Sequence, residues 1–212
     1  MVNKFIESLK GKMGEEAFAK IQAARIGIAG CGGLGSNCAS NLVRSGFRFF
    51  KIVDFDKVDY SNMDRQFYFT GQTGMDKVSA LKDNLKAINP GIEIELIKLK
   101  LDKANVSRVF KGCDIIVEAL DRAEDKSMMV AAFKDSDKLL VAASGLAGYG
   151  GGDDIKTHRL QKNLVVVGDL KSGIDKAPPL SPRVNIAAAK QADVVLERVL
   201  TEGALKAGEQ GA

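Results

Sequence analysis

Arg25-Ile-Gly-Ile-Ala-Gly30-Cys-Gly-Gly-Leu-Gly35-Ser36 is the stretch that decides the fold. A short apolar run enters a G-x-G-x-x-G cluster, and a helical pattern then runs through Asn41, Leu42 and Val43 to Gly46. In a strand–turn–helix of this kind, glycines let the backbone approach a phosphate at the helix N-terminus, where free N–H groups and the helix dipole favour negative charge. Asp54 follows Gly35 by nineteen residues, at the tip of a second strand over 51–54, where its carboxylate can accept hydrogen bonds from ribose hydroxyls. The glycines predict a bound nucleotide, although a turn serving only helix–strand packing would carry the same residues.

Outward from this turn, strand and helix patterns alternate. Phe5, Ile6, Leu9, Met13, Ala17, Phe18 and Ile21 recur at mostly three- and four-residue spacings, which predicts a leading helix over residues 1–22 that breaks at Gly11 or Gly14. Residues 55–72 form a long polar segment with aromatics and no period, and loops of that length are usually functional. Helices are expected over 76–89, 102–110, 122–134 and 183–200, and strands over 93–99, 114–119 and 139–143. Residues 155–160 and 164–167 read as an antiparallel pair, with no helix for a parallel crossover. The expected fold is α/β: a Rossmann-like, doubly wound, mainly parallel sheet with an N-terminal helix and antiparallel C-terminal edge strands. It spans 1–212 as a single domain, with a frayed tail over 201–212.

Composition narrows the function. Of 212 residues, 31 are Lys or Arg and 27 Asp or Glu, interspersed to a net charge of +4, which argues against a dedicated nucleic-acid binder. No stretch approaches the roughly 18 apolar residues of a membrane span, and charges occupy the N-terminus where a signal peptide is apolar. A cytoplasmic protein is expected. Cys31, Cys38 and Cys113 contain no C-x-x-C pair, so they read as free buried thiols and no zinc site is expected. His158 is the single histidine and reads as a surface residue, while Met128 and Met129 read as core. Any chemistry here should not need an imidazole.

Asp54-Phe-Asp56-Lys-Val-Asp-Tyr-Ser61-Asn62-Met-Asp-Arg65-Gln66-Phe67 is the informative segment beyond the glycines. With it, the sequence resembles the ubiquitin-activating-enzyme-like superfamily, and most of all the bacterial ThiF/MoeB adenylyltransferases. G-x-G-G-L-G-S, D-x-D and S-N-x-x-R-Q come in family order. Lys77 follows in Thr73-Gly-Met-Asp-Lys77, and Asp121 in Glu118-Ala-Leu-Asp121. The resemblance runs from about Gly14 to Leu200. Chain length and the segments Met13–Phe18 and Ala177–Ala189 look most like the compact second ThiF family.

The resemblance implies magnesium-dependent transfer of AMP from ATP to the C-terminal glycine carboxylate of a ThiS-like sulfur carrier ending in Gly-Gly. That reaction belongs to thiamin thiazole biosynthesis and releases pyrophosphate. It implies nucleotide contacts from Gly30, Gly32, Gly33, Gly35, Asp54, Asp56, Ser61, Asn62, Arg65, Gln66 and Lys77, catalysis by Arg65, Lys77 and Asp121, and magnesium on Asp121. It also implies a homodimer. The residue types suit the chemistry: an ionised carboxylate needs no general base, Arg can fork onto phosphate oxygens, and Lys supplies a point charge. Ser61 and Asn62 would position the phosphate-side backbone, and Gln66 would brace the loop.

The sequence also departs from the family pattern. The two C-x-x-C zinc pairs of many relatives are absent, and residues 150–183 hold no cysteine for a covalent carrier link. Arg122 stands where the family has Asn, the interval from Arg65 to Lys77 is one residue short, and no arginine precedes Arg25 to match one that relatives lend to the partner subunit. Lys10 or Lys12 would have to substitute. Competing readings are an NAD-dependent oxidoreductase using His158, a non-catalytic ATP or carrier sensor, and a relative acting on carbamoyl-threonine of tRNA.

Overall fold

The computed structural model of the chain describes residues 3–202. Strands β1 (Arg25–Ala29), β2 (Phe49–Val53), β3 (Glu93–Ile97), β4 (Ile115–Glu118), β5 (Leu139–Ala143), β6 (Lys156–Gln161) and β7 (Leu164–Gly168) form one sheet in the order β3-β2-β1-β4-β5-β7-β6. All neighbours are parallel except β6 and β7. The order reverses between β1 and β4, and the chain therefore leaves their carboxyl ends in opposite directions and opens a crevice there.

Helices α1 (Lys4–Met13), α2 (Glu15–Ala23), α3 (Gly33–Arg44), α4 (Lys77–Ile88), α5 (Val106–Val109), α6 (Ala123–Phe133) and α7 (Ser181–Glu202) cover the sheet. Alternate strand residues face opposite sides. Ile26, Ile28, Ile52, Val117, Val141 and Val167 meet Leu42, Leu81 and Val195 of α3, α4 and α7, while Val53, Ile116 and Leu140 meet Phe110, Met129 and Phe133 around α5 and α6. Ile26, Ile28, Ile52 and Ile116 are fully covered, each burial being worth about 1.5–3 kcal/mol. The alternation, more than any polar contact, thus holds the sheet between its two helical layers.

Several expectations change in detail. The leading helix is two helices that break at Gly14 (φ 84°), with Gly11 inside α1. The helix expected over 102–110 shrinks to α5, because the Asp102 carboxylate accepts the N–H groups of Ala104 and Asn105 and forms a local turn instead. β6 and β7 are antiparallel to each other as expected, yet β7 also pairs in parallel with β5, so a long arm containing a 3-10 turn at Gly152–Asp154 and β6 makes the crossover without an α-helix. Residues 201 and 202 are helical; the rest of the tail expected to fray lies outside the described residues. Cys31, Cys38 and Cys113 are free and buried, as are Met128 and Met129. His158 is half-buried on β6, its Nε2 donating to Gly168 O at 3.0 Å.

The crossover arm is pinned by a buried ion pair. Arg183, near the start of α7, pairs with Asp169 and donates through Nη1 to Gly150 O at 2.7 Å and Gly151 O at 3.2 Å. Asp169 in turn accepts the N–H groups of Lys171 and Ser172, both at 2.8 Å, across the left-handed Leu170 (φ 61°). Burial pushes this carboxyl up, but the N–H groups, the Ser172 hydroxyl and Arg183 outweigh it and hold the pKa down at about 2. A carboxyl held below its unfolded value contributes stability above about pH 4, and that contribution drains as pH falls towards 2. Asp169→Asn should therefore cost about 1 kcal/mol at neutral pH, less than the full shift because solvent screens the pair, with the gap to wild type narrowing between pH 4 and 2. Urea unfolding across that range measures both.

Candidate nucleotide-binding site

β1 enters the glycine turn with no space to spare. A Cβ at Gly30, whose φ is 96°, would lie 2.6 Å from Ala119 O, and one at Gly35 would lie 1.9 Å from Gly30 O. The first turn of α3 therefore packs directly onto the end of β1. Its leading N–H groups have no intrahelical partner, and the helix starts from Gly32, which lines the crevice, the placement an anion site requires. Around the turn, Tyr68 donates its hydroxyl to Cys31 O at 2.8 Å, and Ser36 Oγ accepts Phe67 N at 2.9 Å.

A cleft of about 260 Å³ opens over this turn at the carboxyl ends of the strands. Gly30, Gly32, Asp54, Asp56, Lys77 and Asp121 all line it. Asp54 accepts Cys31 N at 2.6 Å on one oxygen and Asp56 N at 2.8 Å on the other, which fixes the carboxylate at the lip of β2. Burial pushes the Asp54 carboxyl up, opposed by those two N–H groups and by the Lys77 ammonium. Lys77 opens α4 with its side chain only 7% exposed, and its Nζ lies 3.0 Å from Asp56 Oδ2. Asp121 is exposed and has no hydrogen-bond or ion-pair partner among the described residues.

The remaining predicted residues sit on the flank of the turn. Arg65 Cγ would be 3.4 Å from a Cβ on Gly33, but its Nη1 points to Asp64 Oδ1 (2.7 Å) and Ser61 O (3.1 Å), so the guanidinium does not line the cleft. Ser61 and Asn62 form a single 3-10 turn: Asp59 Oδ1 accepts Ser61 N, and Asn62 Oδ1 accepts Asp59 N. They support Arg65 and do not reach the cleft. The side-chain amide of Gln66 and the Asp121 carboxylate both come within about 4 Å of the Cβ position of Gly32. Gln66 Oε1 is buried without a partner, so the loop is braced by Ser36, Asn37 and Asn84 in place of the Gln66 side chain.

Residues 7–159 match the ThiF family. The chain belongs to that family. It is 33% identical over 139 residues to SUMO-activating enzyme subunit 2 of Dictyostelium discoideum, a match covering 65% of this chain and 21% of that one. It is 32% identical over 146 residues to the adenylyltransferase and sulfurtransferase UBA4 of Candida glabrata, covering 68% and 33%. The chain thus spans about a fifth to a third of those relatives' lengths. Among solved structures, E. coli tRNA N6-threonylcarbamoyladenosine dehydratase TcdA in complex with ATP superposes with a TM-score of 0.80 over 94% of this chain and 93% of that one; at 19% identity this shows a shared fold.

The cleft has further walls, of which only Arg122 stands out in the sequence. Phe55 and Leu99 form an apolar side beyond the ends of β2 and β3, with Lys100 Nζ 5.9 Å from the Phe55 ring centre. Arg122 and Asp125 stand beside Asp121. The usable signal was position, since residues just past the carboxyl ends of β2, β3 and β4 face the switch point whatever their chemistry. No group of three or more His, Cys, Asp or Glu side chains arranged to hold a metal occurs among the described residues. A hydrated Mg²⁺ shared with phosphates needs only one or two carboxylates, and Asp121 with Asp125 fits that pattern.

Gly35→Ala tests the close approach. It should destabilise the fold by about 1–3 kcal/mol through overpacking, whereas Gly11→Ala, with open space around it in α1, should stabilise by about 0.5–1 kcal/mol. Denaturation midpoints of the two variants should move in opposite directions.

Proposed function

We propose that this protein is an ATP-dependent adenylyltransferase that activates the C-terminal glycine carboxylate of a small ubiquitin-like sulfur carrier as an acyl-adenylate and releases pyrophosphate. Family membership supports the reaction class. The observation that carries the reading is one cleft over a glycine turn that holds a buried ammonium, Lys77, and a carboxylate, Asp121, with no partner among the described residues. His158 stands on the edge strand β6 and does not line that cleft, so the oxidoreductase alternative has no proton relay there.

The residues divide the work by charge. The N–H groups at the start of α3 receive phosphate oxygens, and Asp54 receives the ribose hydroxyls on its remaining lone pairs. Lys77 exchanges Asp56 for the departing pyrophosphate. Arg65 swings from Asp64 to the triphosphate, a short rotation for a side chain whose stem already lies on the turn. Asp121, with Asp125 nearby, would hold magnesium, which when bound neutralises charge on the phosphate oxygens. The carrier's carboxylate is already ionised at neutral pH, so it attacks the α-phosphorus without a base, and alignment of two anions is the remaining task. By resemblance to the compact second ThiF family, the carrier is of the thiamin thiazole type and the working unit a homodimer.

ATP–pyrophosphate exchange stimulated by a carrier ending in Gly-Gly should be readily detected with the wild-type protein. Lys77→Ala and Asp121→Asn should each lower it by about a hundredfold or more, the usual loss of a preorganised electrostatic group. Nucleotide binding with no exchange towards any such carrier would identify a sensor instead.

A further inference from the structure

Glu118 ends β4 with no exposed surface, three residues before Asp121, and the proposed mechanism does not use it. Its carboxylate reaches three elements. Oε1 accepts Leu120 N at 2.7 Å, both oxygens lie 3.1 Å from Lys126 Nζ on α6, and Oε2 accepts Ala143 N at the end of β5 at 3.4 Å. The backbone of the same segment is gripped from the other side. Gln191 of α7, itself fully buried, donates Nε2 to Glu118 O at 3.0 Å and to Val141 O at 3.1 Å, and Gly30 leaves no gap against Ala119 O. The turn is held from β1, β5, α6 and α7, and the next residue along it is the unpartnered Asp121.

Stability does not explain this arrangement. A buried ion pair contributes little net stability over apolar residues of equal volume, because both charges lose their water. An apolar side chain at 118 would, however, leave Leu120 N without its acceptor and free the turn from α6. The specific product of the Glu118–Lys126 pair is therefore the direction in which the chain leaves β4.

We infer that Glu118, locked by Lys126, is the positioning residue that aims Asp121 into the nucleotide cleft. This rests on the reading of Asp121 as the metal-facing carboxylate. Glu118 touches neither nucleotide nor metal; it acts by fixing the Leu120 amide, which sets the backbone of the β4–α6 turn before a ligand arrives.

The test is ATP binding measured by calorimetry with and without Mg²⁺, alongside thermal melting, for wild type, Glu118→Gln and the double variant Glu118→Met with Lys126→Met. The double variant leaves neither charge buried without its partner, so the protein stays folded, although Leu120 N and Ala143 N lose their acceptor and the melting temperature should fall by several degrees. Its metal-free ATP affinity should stay within about twofold, while the gain in affinity that Mg²⁺ confers falls about tenfold, the usual cost of losing support behind a metal ligand. Glu118→Gln keeps an acceptor for Leu120 N and should retain a larger share of the gain. An undiminished Mg²⁺-linked gain in both variants overturns the inference while leaving the adenylyltransferase reading intact. A wild-type protein that binds ATP without any Mg²⁺ linkage overturns the inference together with Asp121's assigned role.

Discussion

No side-chain carbon fits between the carbonyl oxygen of Gly30 and the backbone of Gly35, and the rest of the molecule is arranged around that contact. It brings α3 onto the end of β1, which sends the leading N–H groups of the helix towards the place where the strand order reverses. Relaxing the contact would move α3 off β1 and carry Arg65 with it, since Asn37 on α3 bonds the Arg65 carbonyl. It would also shift α7, whose Val184 packs against Gly33. One steric requirement at two glycines is transmitted in this way to the loop after β2 and to the crossover arm.

Much of this was legible in the chain because it depends on local order. The two-residue alternation of β1, β2, β4 and β5 is written in Ile26, Ile28, Ile52, Val117 and Val141, and the structure buries those residues on one face. The start of α4 at Lys77 and the placing of Asp121 just past β4 follow from the strand–loop–helix alternation. Even the shortened α5 carried a local sign, since Asp102 with Asn105 three residues on is a turn-forming pair.

What stayed hidden depends on partners distant in sequence. Asp56 pairs with Lys77 across 21 residues, and Glu118 meets Ala143 across 25, so no local pattern announces either contact. The same holds for β7, whose parallel pairing with β5 needs an arm of chain that loops through β6 before returning. Residue type and motif order point to Arg65, but the direction of its guanidinium is not written locally, because Asp64 and the Ser61 carbonyl compete for it once the loop has closed.

The pairing of Lys77 with Asp56 gives the cleft a threshold. The ammonium has Asp56 as its counter-ion, and an incoming anion would gain only the difference between its own attraction and that of Asp56. Under the proposed function, a feebly charged visitor would leave the internal pair closed and a polyphosphate chain would displace it, so the pair would select by charge density before shape or base recognition begins.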